Sequence, residues 1–71
     1  MRVLYRRTKK EIPADWVLNK VECDIRDNWY YGVNLFTFSQ MCDRNDISKR
    51  ACRRSLSRFI TNGIVTIWDK E

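Results

Sequence analysis

Apolar residues recur along this chain at two spacings, and the switches between them mark its elements. From Ala14, the apolar positions Val17, Leu18, Val21 and Ile25 fall one, three or four residues apart, with Asn28 or Trp29 next. That spacing lines one face of a helix and predicts one over residues 14–30. Pro13 suits its first turn, where a missing N–H is no loss, and Glu11 and Asp15 suit its positive end. The outer face then carries Asp15, Asn19, Glu22, Arg26 and Asp27. Gly32 to Phe36 reads as a very short strand through Val33 and Leu35. Thr37 or Ser39 caps a second helix over residues 38–44, which turns Phe38, Met41 and Cys42 inward. Asn45-Asp46 makes the next turn, because Asn tolerates a left-handed backbone at a helix end, and Ile47 plugs the corner.

A third helix is predicted over residues 48–62. Ser48 can cap it, with Asp46 as the rival cap. Cys52, Leu56, Phe59 and Ile60 recur at helical spacing and form its core face. Asn62-Gly63 supplies a left-handed stop. Residues 64–68, Ile-Val-Thr-Ile-Trp, are apolar or β-branched throughout and read as a strand, followed by Asp69-Lys70-Glu71 as a solvated tail. Within residues 1–10, Val3, Leu4 and Tyr5 make either an edge strand or part of a disordered basic arm. No repeat, low-complexity segment or linker interrupts the 71 residues, so one domain is expected. The fold class is mainly α with a small β-sheet, an α+β arrangement: a three-helix core with a two- or three-stranded sheet.

Charge sharpens this picture. The net charge is +5, which favours an anionic partner. Residues 1–10 carry five cations and no acid; residues 11–43 carry six acids against Lys20 and Arg26; residues 44–71 carry seven cations against three acids. On a helical wheel, Lys49, Arg50, Arg53, Arg54 and Ser57 fall opposite the core face of the third helix, with Arg58 at the edge. A run of cations on a helix is commonly a solvated face. Such a face normally mixes signs to gain i,i+4 pairs, and this one has no acid from Ser48 to Ile67. A capped helix with one basic and one apolar face suits the DNA major groove.

Catalysis finds little footing. The chain has no His, only two Gly and no phosphate-binding loop. Asp24 and Asp27 lie three apart as solvated carboxylates. Cys42 and Cys52 have basic neighbours but sit on apolar faces, which favours packing over nucleophilic work. Three widely spaced Cys give neither a disulfide framework nor a zinc site. A non-enzyme without metal or other cofactor is expected, with reduced thiols in the cytoplasm. No apolar run approaches a membrane span, and no signal-peptide pattern opens the chain. Trp29-Tyr30-Tyr31 fills the core at the end of the first helix, or stacks on bases as in a single-strand binder.

The stretch TFSQMCDRNDISKRACRRSLSRFITNGIVTI resembles the helix-turn-helix core of winged-helix transcription regulators. The matching features are a capped helix, a turn plugged by Ile47, a recognition helix capped by Ser48, and Asn62-Gly63 leading into an apolar strand. The resemblance covers roughly the last half of the chain. It departs from the pattern in two places. Cys42 stands where a small Ala is usual, and the wing hairpin stops after its first strand. The amino-terminal strand Val3 to Tyr5 would then complete the sheet beside residues 64–68, leaving little or no wing.

A small regulator that binds specific double-stranded DNA, of a kind found in phages and plasmids, is the function this implies. Ser48, Lys49, Arg50, Arg53, Arg54 and Ser57 would meet the major groove, with Arg50, Arg53 and Arg54 on base edges. Lys49, Arg44, Arg58 and the arm residues Arg2, Arg6, Arg7, Lys9 and Lys10 would hold phosphates. One such helix covers few base pairs, so a homodimer on a two-fold site is expected. The alternative is a protein-interaction module or host-enzyme inhibitor on the same scaffold, contacting its partner through the acidic first helix or the basic helix itself.

Overall fold

The computed structural model describes residues 3–30 and 35–70. It is an α+β fold of three helices on a three-stranded antiparallel sheet. The order is β1 (Val3–Arg7), α1 (Lys20–Asn28), β2 (Leu35–Phe36), α2 (Phe38–Asn45), α3 (Lys49–Thr61) and β3 (Val65–Lys70). Tyr31 and the Gly32–Asn34 part of the expected short strand lie outside the described residues, as does Arg2.

The amino-terminal segment is neither a free arm nor an edge strand. β1 is the central strand of a sheet ordered β2-β1-β3, with Tyr5 opposite Phe36 on one side and Ile67 on the other. Tyr5 and Phe36 stack with ring centroids 5.7 Å apart. A strand paired on both edges satisfies its backbone groups within the sheet, which an extended arm would leave to water. The expected pairing of this segment with the last strand is present, with a register shift between Leu4 and Tyr5. β3 also runs on through Asp69 and Lys70, which had been expected as a tail.

The first helix is shorter than its apolar stripe predicts. It starts at Lys20, because Asn19 is extended and caps it. The Asn19 side chain accepts from Glu22 N–H at 2.9 Å, and Glu22 Oε1 accepts from Asn19 N–H at 3.0 Å. This reciprocal capping box satisfies two donors that helix continuation would leave to compete with it. Pro13 starts only a turn, closed by Trp16 N–H on Pro13 C=O at 3.2 Å. Ile12, Trp16 and Leu18 still pack on the core from this loop, while Val17 points to solvent, 88% exposed. Trp29 ends the helix with its N–H on Ile25 C=O, and its ring packs 5.1 Å from that of Phe36.

Thr37 caps α2 in a second capping box with Gln40. Asp46 takes the left-handed conformation (φ 49°) that ends α2, so it is not the cap of α3. That role falls to Ser48, which accepts from Ala51 N–H at 3.2 Å. Ile47 packs on the core between the two helices. α3 closes at Gly63, whose φ of 76° is open to glycine at little cost. The core is formed by Val21, Ile25, Trp29, Phe36, Met41, Cys42, Cys52, Leu56, Phe59, Ile64 and Val65. Ile60, expected among them, lies at the rim and is 36% exposed.

The start of α1 is open to test. Asn19→Ala removes a cap, so stability should fall by about 1–2 kcal/mol in urea denaturation. If Asn19 sat inside a helix begun at Ala14, the same change would leave stability level or raise it.

Candidate nucleic-acid interface

The basic residues singled out from the sequence divide into two sets once they are placed. One set is bound into the fold. Asp24 in α1 is buried, 7% exposed, and its carboxylate is the centre of a cluster. Arg44 approaches it with Nε 2.9 Å from Oδ2 and Nη2 3.0 Å from Oδ1. Asn45 donates to Oδ2 and Asn28 to Oδ1, each at 2.9 Å. The Arg44 guanidinium also lies over the Trp29 ring, 5.4 Å from its centroid. Glu22 is 3% exposed, and Arg58 Nη1 sits 3.5 Å from its Oε2 while stacking 3.9 Å over Trp16. Drawing either arginine toward a phosphate would leave a buried carboxylate short of its counter-charge, which is strongly unfavourable.

Arg7 belongs to the same set. Its Nη1 donates to the carbonyls of Thr8, Lys10 and Ile64, and burial lowers its pKa from the usual value. Arg6 lies over the Trp68 ring, 4.1 Å from the centroid. The connector after β1 is tied to the far end of α3, because Thr8 Oγ1 donates to Gly63 C=O and Ile64 C=O. Lys9 and Lys10 are exposed there, and Lys10 Cδ lies 3.7 Å from where a Cβ on Gly63 would stand. They are therefore about 20 Å, the thirteen-residue length of α3, from its first residues.

The other set is held outward on α3. Lys49, Arg50, Arg53, Arg54 and Ser57 are all exposed, on a helix with no acid. Among the described residues, none of the four cations makes an ion pair. The opposite side of α3 is anchored by Cys52, Leu56 and Phe59, and by Ser55, which donates to Ala51 C=O and accepts from the Asn19 amide. The helix cannot roll without breaking that packing, so its basic face stays turned to solvent. Ser48 shares the face, with its oxygen engaged as the cap and its O–H still able to donate.

Arg53 leans over Phe38, 5.4 Å from the ring centroid, at the side of a groove of about 740 Å³. Val3 and Tyr5 of β1, Phe38 of α2, and Leu56 and Ile60 of α3 form its apolar lining. On the other flank, Arg54 borders a smaller hollow of about 370 Å³ shared with Arg58 and Glu22.

Of three other readings, the acidic face of α1 changes, while core filling by Trp29 and packing of Cys42 and Cys52 hold. The acidic face of α1 is largely internal, since Glu22 and Asp24 are buried and exposed Asp27 pairs with Arg26 at 2.8 Å. Trp29 is buried, so of the Trp29-Tyr30-Tyr31 run the described residues leave only Tyr30 exposed. Cys42 and Cys52 are buried, and the Cys52 thiol is pushed up to about 12, chiefly by burial and then by its contact with Cys42. A thiol so protonated is a poor nucleophile.

The buried carboxylates went unseen in the sequence, although Asp24 lies three residues after Val21 on the core stripe and Glu22 completes the Asn19-x-x-Glu22 capping pattern. Comparison with family models, curated proteins and solved structures gives no match.

Removing the charge from each set should have different consequences. Arg44→Gln and Arg58→Gln should each cost about 1–3 kcal/mol of stability, reduced from the full cost of a broken buried pair because both guanidinia are partly hydrated. Lys49→Gln, Arg50→Gln and Arg54→Gln should change the urea midpoint by no more than about 0.5 kcal/mol equivalent. Thiol labelling should separate the cysteines in the same way. Half-buried Cys23 should react in the native protein, and Cys42 and Cys52 only on unfolding.

Proposed function

We propose that this protein binds double-stranded DNA by laying the outward face of α3 in the major groove, as a small regulator of winged-helix type. The observation that carries the reading is the row of Lys49, Arg50, Arg53 and Arg54, which make no ion pair among the described residues, on a helix whose other side is locked into the core. Cations without a carboxylate partner keep their full attraction for phosphate and base edges. Arg50, Arg53 and Arg54 have the fork geometry to meet guanine O6 and N7, and each good bidentate contact adds about 1–3 kcal/mol of discrimination. Lys49, a compact point charge, suits phosphate. Lys9 and Lys10 can hold backbone at the carboxyl end of the helix. Arg44, Arg58 and Arg7 lose the phosphate roles first considered for them, and Lys49, Lys9 and Lys10 keep theirs.

Fluorescence anisotropy with random-sequence duplex DNA over a salt series tests this. On random-sequence duplex, where the arginines have no matched guanine and meet phosphates instead, the four cations of α3 would neutralise about four phosphates, and log K should fall with log salt at a slope near −3.6. Arg53→Glu with Arg54→Glu should abolish binding and keep the fold. No binding at low salt, or unchanged affinity in the double variant, would remove α3 as the reading helix.

A further inference from the structure

The groove beside α3 follows a stripe of the helix that changes character along its length. At 3.6 residues per turn, Lys49, Arg53, Leu56 and Ile60 fall on one narrow line along α3. The first half of that line is cationic and the second half apolar. Arg53, Leu56 and Ile60 form one wall of the groove of about 740 Å³, and Val3 and Tyr5 of β1 form another. From Arg53 to Ile60 the wall is about 10 Å long, two turns of helix. Phe38 lies at the cationic end, its ring centroid 5.4 Å from the Arg53 guanidinium.

Duplex DNA accounts for only half of this stripe. Its phosphates and base edges are polar, with the thymine methyl as the exception, so it has little to set against Leu56 and Ile60. The volume lies within the range of about 300–1,000 Å³ common to ligand sites. Charge then narrows the occupant. Among the described residues the lining holds one charged side chain, Arg53, and no acid. Lys49 and Arg50 continue the positive charge one turn beyond it, on a chain with a net charge of +5. A second copy would bring the same sign to this face. The fitting occupant is apolar where it meets Leu56 and Ile60, and acidic where it meets Arg53 and Lys49.

We propose that this groove docks an acidic amphipathic helix of another protein. A wall of seven residues matches the i, i+4, i+7 anchors with which such a helix fills an apolar groove. Its bulky side chains rest on Val3, Tyr5, Leu56 and Ile60, and its Asp or Glu residues meet Arg53 and Lys49. The Arg53 fork can donate two parallel hydrogen bonds to a carboxylate with its plane still over Phe38. Of the two faces first considered for a protein partner, the acidic first helix is largely internal and this one is open. The docking does not depend on the DNA reading. Where that reading also holds, both ligands claim Lys49 and Arg53, so the acidic helix and the duplex exclude each other.

Phage-display selection of random dodecapeptides against the full chain, without DNA, tests this. The enriched peptides should be net negative and carry bulky apolar residues three or four apart. Made as labelled synthetic peptides, they should bind Ile60→Gln and Arg53→Gln at least about tenfold more weakly, and Val17→Ser within about twofold of the parent chain. Val17 is 88% exposed on a loop outside the groove, and Ile60 lies at its rim, so circular dichroism should keep its native shape in all three variants. A selection that enriches nothing overturns the proposal. So do enriched peptides without acids, or peptides that bind Ile60→Gln or Arg53→Gln as tightly as the parent chain. Because duplex is absent, each result leaves the DNA reading of α3 to its own salt series.

Discussion

Asp24 and Glu22 lie so far from water on the short first helix that neither carboxylate can hold its charge there without partners. Their partners come from elsewhere in the chain. Arg44 and Asn45, at the end of the second helix, reach Asp24; Arg58, late in the third, reaches Glu22. The two contacts pin the second and third helices to the first at separate points, where apolar packing alone would tolerate some sliding. They also settle which arginines have a structural duty, and the basic face is what remains.

Elements with a local cause were legible in the sequence. Ser48 and Thr37 cap helices because a hydroxyl one turn ahead of a free N–H needs no tertiary context. The left-handed stop at Gly63 and the Ile47 plug are similarly local. The start of the first helix was also written locally, in Asn19 and Glu22, but the apolar spacing of Val17 and Leu18 pointed the other way. Leu18 reaches the core from a loop and Val17 does not reach it at all, so spacing alone overstated the helix. The division of the cations was not legible, because Arg44 and Arg50 look alike until a buried carboxylate is found beside one of them. The centrality of the amino-terminal strand was hidden for the same reason: Val-Leu-Tyr-Arg-Arg does not say how many neighbours it has.

The outward face of the third helix owes its position to the side it hides. Phe59 and Cys52 are fully buried, and Ser55 is tied to Asn19, the residue that caps the first helix. One cap thus serves two helices, setting where the first begins and how the third is rotated. Residues distant from any ligand can in this way govern the aim of Arg50, Arg53 and Arg54.

The central strand carries one more consequence, which concerns time. Its five residues are made well before one set of partners, since Val3 is opposite Lys70 and Arg7 opposite Val65. On the ribosome this segment can meet β2 early, but it lacks its longer partner until residues 65–70 have emerged. Helices close during that interval, since their contacts are near in sequence. The sheet therefore closes last, and its waiting strand is the segment most in need of shelter in a nascent chain.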